Sequence, residues 1–551
     1  MPSVILKDER DGAGDRQEKI FHVVKDLPFE LRQHVSSYLQ EQLYAPAFEA
    51  LQNMLISGAD HASGNQQRTF LPSDQVLALA STLVVHPLTT TRLQPSEKPV
   101  AADLALRYLR HLTIIPPLQS GYADAFVFAS SDPERQSRLR RRRSIGDVAA
   151  NSLGEFDGRL TTRISTDDSV FARAEDFWSV VGWAFNCSIK HPRRWERWQI
   201  WLGVMLNLLQ QDLDDRLAET NRQKSDSRSN DKLDLLHDAL LSKYVKLRSN
   251  GRGEKKRIMR AILADGSKRS MNEFKEVWHN ETLPPKREEG DSNDKILDIE
   301  NDQWGDYMDL DLEEEEEVPE LATRRSSRRG GALTQCGDDE DYDDVDETDL
   351  AHTVQDWGGI TSINLRRRIL GLLVRYTEVY PIGFVRVYEL FDVANELIRP
   401  LPLSIFTHFV SPTKAYMNSS DAHCSLVLDL FRTIVGDKAI THRKGELDQD
   451  DLEKYYLPAT ASGPDPVDNA KVSIMVETLM RLMWKEGRLV ARSSLSNAVA
   501  QGRQDRLGRL KSDSRRKTET RTRLATEAVE VIENSALRMA VVLDVINATT
   551  T

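Results

Sequence analysis

The residues best able to do chemistry are scattered rather than assembled. Twelve histidines occur along 551 residues, and none stands three or four positions from another, as a helical metal pair requires. Gly251-Arg252-Gly253-Glu254-Lys255-Lys256 gathers glycines and lysines as a phosphate cradle does, but at the wrong spacing. The H-E-x-x-H and G-x-S-x-G patterns of zinc and serine hydrolases do not occur. Asp448, Asp450 and Asp451 alternate like the start of a calcium loop, yet the turn glycine and closing glutamate are misplaced, so a solvated loop is expected. His191, just before Pro192, reads as a corner residue rather than a base. Cys187, Cys336 and Cys424 are odd in number and far apart, which gives neither a disulfide framework nor a zinc set and points to a reducing compartment. No catalytic residue, cofactor or metal is expected. The chain reads as non-enzymatic.

Residues suited to binding are easier to find. Arg140, Arg141, Arg142 and Arg143 form one basic run and Arg515, Arg516 and Lys517 another, with Lys255-Lys256-Arg257 and Arg324-Arg325 plus Arg328-Arg329 between them. Short Lys/Arg runs in loops suit nuclear import or nucleic-acid contact, so nuclear residence is expected. Ser144 and Ser326 follow arginines directly and are candidates for phosphorylation, which places nearly two negative charges inside a positive patch. Arg503–Arg523 holds nine basic and three acidic residues, enough for a weak DNA contact.

The opposite charge is concentrated in one place. Asp302–Asp349 carries nineteen acidic residues against four arginines, a net −15, whereas the whole chain carries −12 and the remainder therefore about +3. Such a run cannot bury enough apolar surface to offset the entropy of ordering it, which predicts a disordered acidic insert. Trp304, Tyr307 and Tyr342 punctuate it. Charge steers such a segment to a basic surface and the rings anchor it, so histones or basic subunits of a complex fit. A spacer that keeps two helical domains soluble and apart fits equally, and masking of Arg503–Arg523 within the chain is a third option.

The elements around these residues read as helices. Apolar residues recur at helical spacing in Phe29–Leu39, Ser73–Val85, Val100–Leu112, Phe171–Phe185, Trp195–Leu213, Ile363–Val379, Phe384–Leu397, Ser425–Val435, Val472–Trp484 and Leu524–Ile546. Thr166, Asp167, Asp168 and Ser169 are candidate N-caps for the fourth, and Thr361 or Ser362 for the sixth. Five of nine tryptophans fall within Trp178–Trp201. Two long apolar helices joined at His191-Pro192 must form an antiparallel hairpin, with those rings as its core. Strand signals are nearly absent. The expectation is an all-α protein, an irregular α-solenoid-like stack in two bodies: a disordered start (1–19), helical regions at 20–130 and 166–283 joined by a basic linker (131–165), the insert (284–352), a C-terminal helical region (353–500), a basic segment (501–523) and a last helix (524–551). The N-terminus has no basic start with an apolar stretch behind it, and no window nears the ~20 apolar residues of a membrane span. An intracellular protein without membrane contact is expected.

Two short stretches resemble known modules. Ile296, Leu297 and Ile299, with Asp298, Glu300 and Asp302 beside them, resemble a SUMO-interacting motif, which implies pairing as an added strand on that modifier's sheet edge. Leu27-Pro28-Phe29-Glu30-Leu31 through Tyr38-Leu39 resembles the opening of an F-box, although Ala45–Leu55 lacks that module's further pattern. The overall plan is similar to helical accessory subunits of chromosome-organising complexes. The expected function is a nuclear scaffold or adaptor within a multiprotein complex, associated with chromatin or chromosome maintenance. An F-box-like substrate adaptor of a ubiquitin ligase is the alternative.

Overall fold

The computed structural model describes residues 22–60, 68–93, 98–114, 117–118, 122–129, 159–222, 235–246, 252–284, 353–412, 419–436, 447–463, 465–512 and 519–550. Helices of eight residues or more are numbered α1 to α14.

The chain enters through a feature the composition did not announce. Strand β1 (His22–Asp26) is followed by α1 (Phe29–Gln40) and α2 (Tyr44–Asp60), then by β2 (Arg68–Leu71). After α3 (Asp74–Val85) and α4 (Val100–Ile114) comes β3 (Pro117–Leu118). The order in the sheet is β2-β1-β3, both pairs parallel, with Val23 opposite Arg68 and Leu118. Parallel neighbours need crossovers, and the two helix pairs supply them. Strands of five, four and two residues are too short to show an alternation, which is why the sequence pattern missed them. They leave the protein overwhelmingly helical, as expected.

The tryptophan hairpin forms as its spacing predicts. Helix α5 (Phe177–Lys190) and α6 (Pro192–Arg222) turn at His191, and Trp178, Trp183, Trp195, Trp198 and Trp201 are all buried. Trp198 stands edge-on to Trp201 at 5.6 Å and stacks on Trp278 at 5.9 Å, while Phe177 stacks on Tyr244 at 4.4 Å. Two of the indole N–H groups find acceptors inside the core: Trp178 donates to the Tyr244 carbonyl at 2.8 Å and Trp201 to Ser81 Oγ at 2.9 Å. The cap is not where the sequence placed it. Asp176 starts α5 with a full capping box, its Oδ1 accepting from Ser179 N–H at 2.7 Å, whereas Ser169 only precedes the short turn Val170–Arg173. Phe171 belongs to that turn, so the apolar run begins a helix earlier than α5.

Helix α7 (Arg252–Ile262) then packs on α5. Beyond the insert lie α8 (Gly359–Val379), α9 (Val387–Ile398), α10 (Leu403–Val410) and α11 (Ser420–Val435), then α12 (Pro466–Lys485), α13 (Ser493–Ser512) and α14 (Glu519–Thr550). Helix α12 is the axle of this half: α10, α11, α13 and α14 all pack on it, and nearly its whole circumference is buried. Asp448, expected in a solvated loop, caps the turn Gln449–Asp451, and Asp450 pairs with Arg492.

The halves before and after the insert are not separate bodies. Residues up to 285 and from 351 onward form one compact unit with a continuous apolar core from Leu27 to Ile546. Helix α8 lies on α6, and α7 on α9. The seam is specific: Ser362, expected as a cap, is instead buried against Ser188, Oγ to Oγ at 3.3 Å. The residue in the capping position of α8 is Gly358, at φ +79°. A Cβ there would meet Ser188 Cβ at 2.5 Å, so both backbone and space demand glycine.

Candidate interaction surfaces

Inside the core, the side chains with the most chemical capacity are engaged in holding elements together. Arg194, in the first turn of α6, is 1% exposed and meets the fully buried Glu281 at 2.9 Å. The same guanidinium donates to the Val85 carbonyl at the end of α3 at 2.8 Å and to Thr90 and Thr91 hydroxyls at 3.3 Å. Trp183 Nε1–H also donates to Glu281. Burial pushes the Glu281 carboxyl up from its ordinary range, against the pull of Arg194. His86 packs edge-on against Trp278 at 5.0 Å, accepts the Leu88 N–H at Nδ1, and is pushed down by burial to about 4. This centre knots α3, the hairpin and the Trp278–Glu281 segment. It is a clamp, with its partners already in place.

A second pattern repeats across the molecule. Arg366 of α8 is fully buried and its Nη1 donates to the Ile262 and Ala264 carbonyls at 2.8 and 2.9 Å, at and just past the end of α7. Its guanidinium lies 4.1 Å from the Phe185 ring centre and 5.0 Å from that of Trp357. Burial lowers its pKa to about 9. Arg506 of α13 donates to the Leu457 and Ala459 carbonyls at 2.9 and 3.0 Å, Lys471 of α12 to the Arg399 carbonyl at 2.6 Å, and Arg367 to the Ser411 carbonyl at 3.0 Å. Each cation meets carbonyls that a helix end leaves without intrahelical partners, where the backbone dipole also favours positive charge. Short helices end often, and buried cations from a neighbouring helix close those ends.

These contacts redraw two sequence expectations. Lys255, Lys256 and Arg257, grouped with the free basic clusters, are paired with Glu389, Glu396 and Asp176 at 2.6 Å each and zip α7 to α9 and α5. In the basic segment, Arg503 stays exposed while pairing with Glu533 at 2.6 Å, and Arg506 is sealed in the core, so of these two only Arg506 is withdrawn from DNA. The partner-binding Ile296, Leu297 and Ile299, the anchors Trp304, Tyr307 and Tyr342, the basic Arg140, Arg141, Arg142, Arg143, Arg515, Arg516 and Lys517, and the phosphorylation candidates Ser144 and Ser326 lie outside the described residues. Among the described residues, no group of three or more His, Cys, Asp or Glu side chains is placed to hold a metal ion, and no helix is long and apolar enough to cross a membrane.

What the described body offers to partners is apolar helix surface. Leu27, just before α1, and Leu39 on it turn inward while Leu31 and Tyr38, seven residues apart, stay 41% and 36% exposed, with Leu43 half exposed just beyond. On α14, Leu537, Val541 and Val545 stand outward at successive four-residue steps. Single exposed leucines are ordinary; large ones repeating along one face mark contact surfaces. No protein-family model matches the chain, and no curated protein matches it either.

Proposed function

We propose that this chain is a non-enzymatic helical scaffold or adaptor subunit of a multiprotein complex. It works in the nucleus, in association with chromatin or chromosome maintenance. One observation carries the scaffold reading: the buried charges close helix ends or each other, while Leu31, Tyr38 and Leu43 remain exposed on and just after α1. A body stiffened from within and apolar at a helix face suits holding other proteins. The nuclear reading rests on the Arg140–Arg143 and Arg515–Lys517 clusters, and the chromatin reading on the acidic insert with its Trp304, Tyr307 and Tyr342 anchors. Basic proteins, histones among them, are the partners such an insert suits, and the Ile296-Leu297-x-Ile299 stretch suits SUMO. The test is affinity purification of the full chain and of a form lacking residues 284–352. Stable co-purifying subunits, with basic partners lost on deletion, are expected. Recovery of both forms without a stoichiometric partner refutes the proposal.

The F-box-like reading keeps one observation in its favour: Leu27 and Leu39 anchor α1 while Leu31 and Tyr38 face out. Binding of the full chain to the ligase's small linker protein, abolished by Leu31→Glu, favours that reading over the scaffold. No binding at ~10 µM, weak for a constitutive subunit, removes it.

A further inference from the structure

The two sides of α14 are built differently from an ordinary surface helix. Its inward stripe, Ala528, Ile532, Ser535, Met539, Val542 and Ile546, is buried and steps alternately by four and three residues along α12. That is the spacing of a helix–helix seam. Ser535 Oγ adds a hydrogen bond to the Ser473 carbonyl at 3.0 Å. The outward side carries a shorter apolar stripe, stepping by four residues only, with no neighbour among the described residues. Leu537 and Val541 are 65% and 61% exposed, and Val545 is 38% exposed. Asp544 stands exposed between the valines, and Arg538 is half exposed, its Nε and Nη2 held by Glu477 at 2.6 and 2.7 Å.

We propose that this outward seam binds a second copy of the same chain, α14 against α14, antiparallel about a two-fold axis at Val541. The sequence of the face is self-complementary in that register. Val541 meets its own equivalent, Leu537 falls opposite the second copy's Val545, and Arg538 falls opposite the second copy's Asp544, twice over. Moving the axis one turn back, to Leu537, sets Glu530 against Asp544, a like-charge pair. Moving it one turn forward, to Val545, sets Val541 against the polar Thr549. Apolar matching and charge therefore choose one register, as isologous interfaces require. About four turns of helix make contact, roughly 21 Å. That is less than the ~800 Å² per partner of a standard interface, so the dimer is a micromolar one. The pairing goes beyond the scaffold reading: it doubles every partner site the body carries.

The experiment is sedimentation equilibrium of the full chain, with variants confined to exposed positions and folding checked by circular dichroism. The wild type is expected to move from 62.6 kDa toward twice that mass with concentration. Val541→Glu, which sets two carboxylates face to face on the axis, raises the dissociation constant at least ~10-fold. Asp544→Lys, which faces Arg538, raises it roughly 3-fold, less at high salt. In a Cys336→Ser background, Val541→Cys gives a disulfide-linked dimer on mild oxidation. Leu537→Cys does not, because its two copies lie eight residues out of step, about 12 Å apart. A monomer throughout ~1–100 µM overturns the proposal and leaves the seam to another protein's helix. A dimer indifferent to Val541→Glu, or Leu537→Cys linking as fast as Val541→Cys, overturns it too.

Discussion

Replacing Arg366 by methionine tests the seam that makes one body of two stretches of sequence. The wild-type side chain gives hydrogen bonds to the Ile262 and Ala264 carbonyls and donates from Nε to Ser362 Oγ at 3.2 Å, between Phe185 and Trp357. Methionine refills the volume but leaves two buried acceptors short of donors, about 1–3 kcal/mol each. Loss of the cation over two rings adds roughly 1 kcal/mol. Relief from burying a guanidinium without a hydrogen-bonded carboxylate returns several kcal/mol of the opposite sign. The net expectation is a loss of about 2–4 kcal/mol. Lysine keeps the charge but not the fork, and loses a similar amount. Urea unfolding of the full chain, followed by tryptophan fluorescence and far-ultraviolet circular dichroism, is the assay. Both signals should fall in one transition at a lower midpoint. Arg252→Met, at a 70% exposed partner of Glu396, should move the midpoint by no more than ~0.5 kcal/mol. Two separate transitions in the wild type, or an Arg366→Met cost as small as that of Arg252→Met, contradict a single body joined through Arg366.

Acid should weaken the fold through its buried histidines. His86 and His423 are both pushed down to about 4 by burial, His423 while its Nε2 bonds the Val410 carbonyl at 2.7 Å. Their folded values lie below the unfolded ~6.5, so their contribution is whole above that pH and is lost as pH falls toward 4, up to about 3 kcal/mol each. Glu281, raised by burial, slopes the other way near its own range, so the difference between wild type and His423→Gln isolates the effect: the variant's stability should fall less steeply between pH 6.5 and about 4. Gly182→Ala on α5 should cost about 1–3 kcal/mol despite alanine's better helix propensity, because the new Cβ would stand 2.2 Å from Phe274 Cγ; thermal unfolding measures it, and an unchanged midpoint contradicts the packing.

Helices were legible where apolar periodicity ran long. The hairpin at Pro192, α3 and α12 come directly from their patterns, and the tryptophans pack as core. What could not be seen is long-range. The sheet of β1, β2 and β3 joins strands of at most five residues through crossovers, with no local mark. Joining the halves across the insert depends on Arg366, a basic residue that composition counts as surface. A signal was present, since Arg366 shares a helix face with Ile363 and Leu370, as Arg194 does with Trp198 and Trp201 and Arg506 with Val499. A cation on an apolar stripe marks a buried partner, and here the partners are helix-end carbonyls. Lys255-Lys256-Arg257 misled for the converse reason: a cluster in sequence carries no mark of the glutamates that tertiary packing places opposite it.

The most direct test of the scaffold claim is the native mass of the full chain, tagged at its own locus and drawn from nuclear extract. An assembly heavier than a dimer is expected, with other proteins in whole-number ratios. Leu31→Glu combined with Tyr38→Glu should release subunits while the helical signal stays intact. A chain that emerges at the mass of the purified protein alone, or a double variant that keeps every partner, contradicts the scaffold claim.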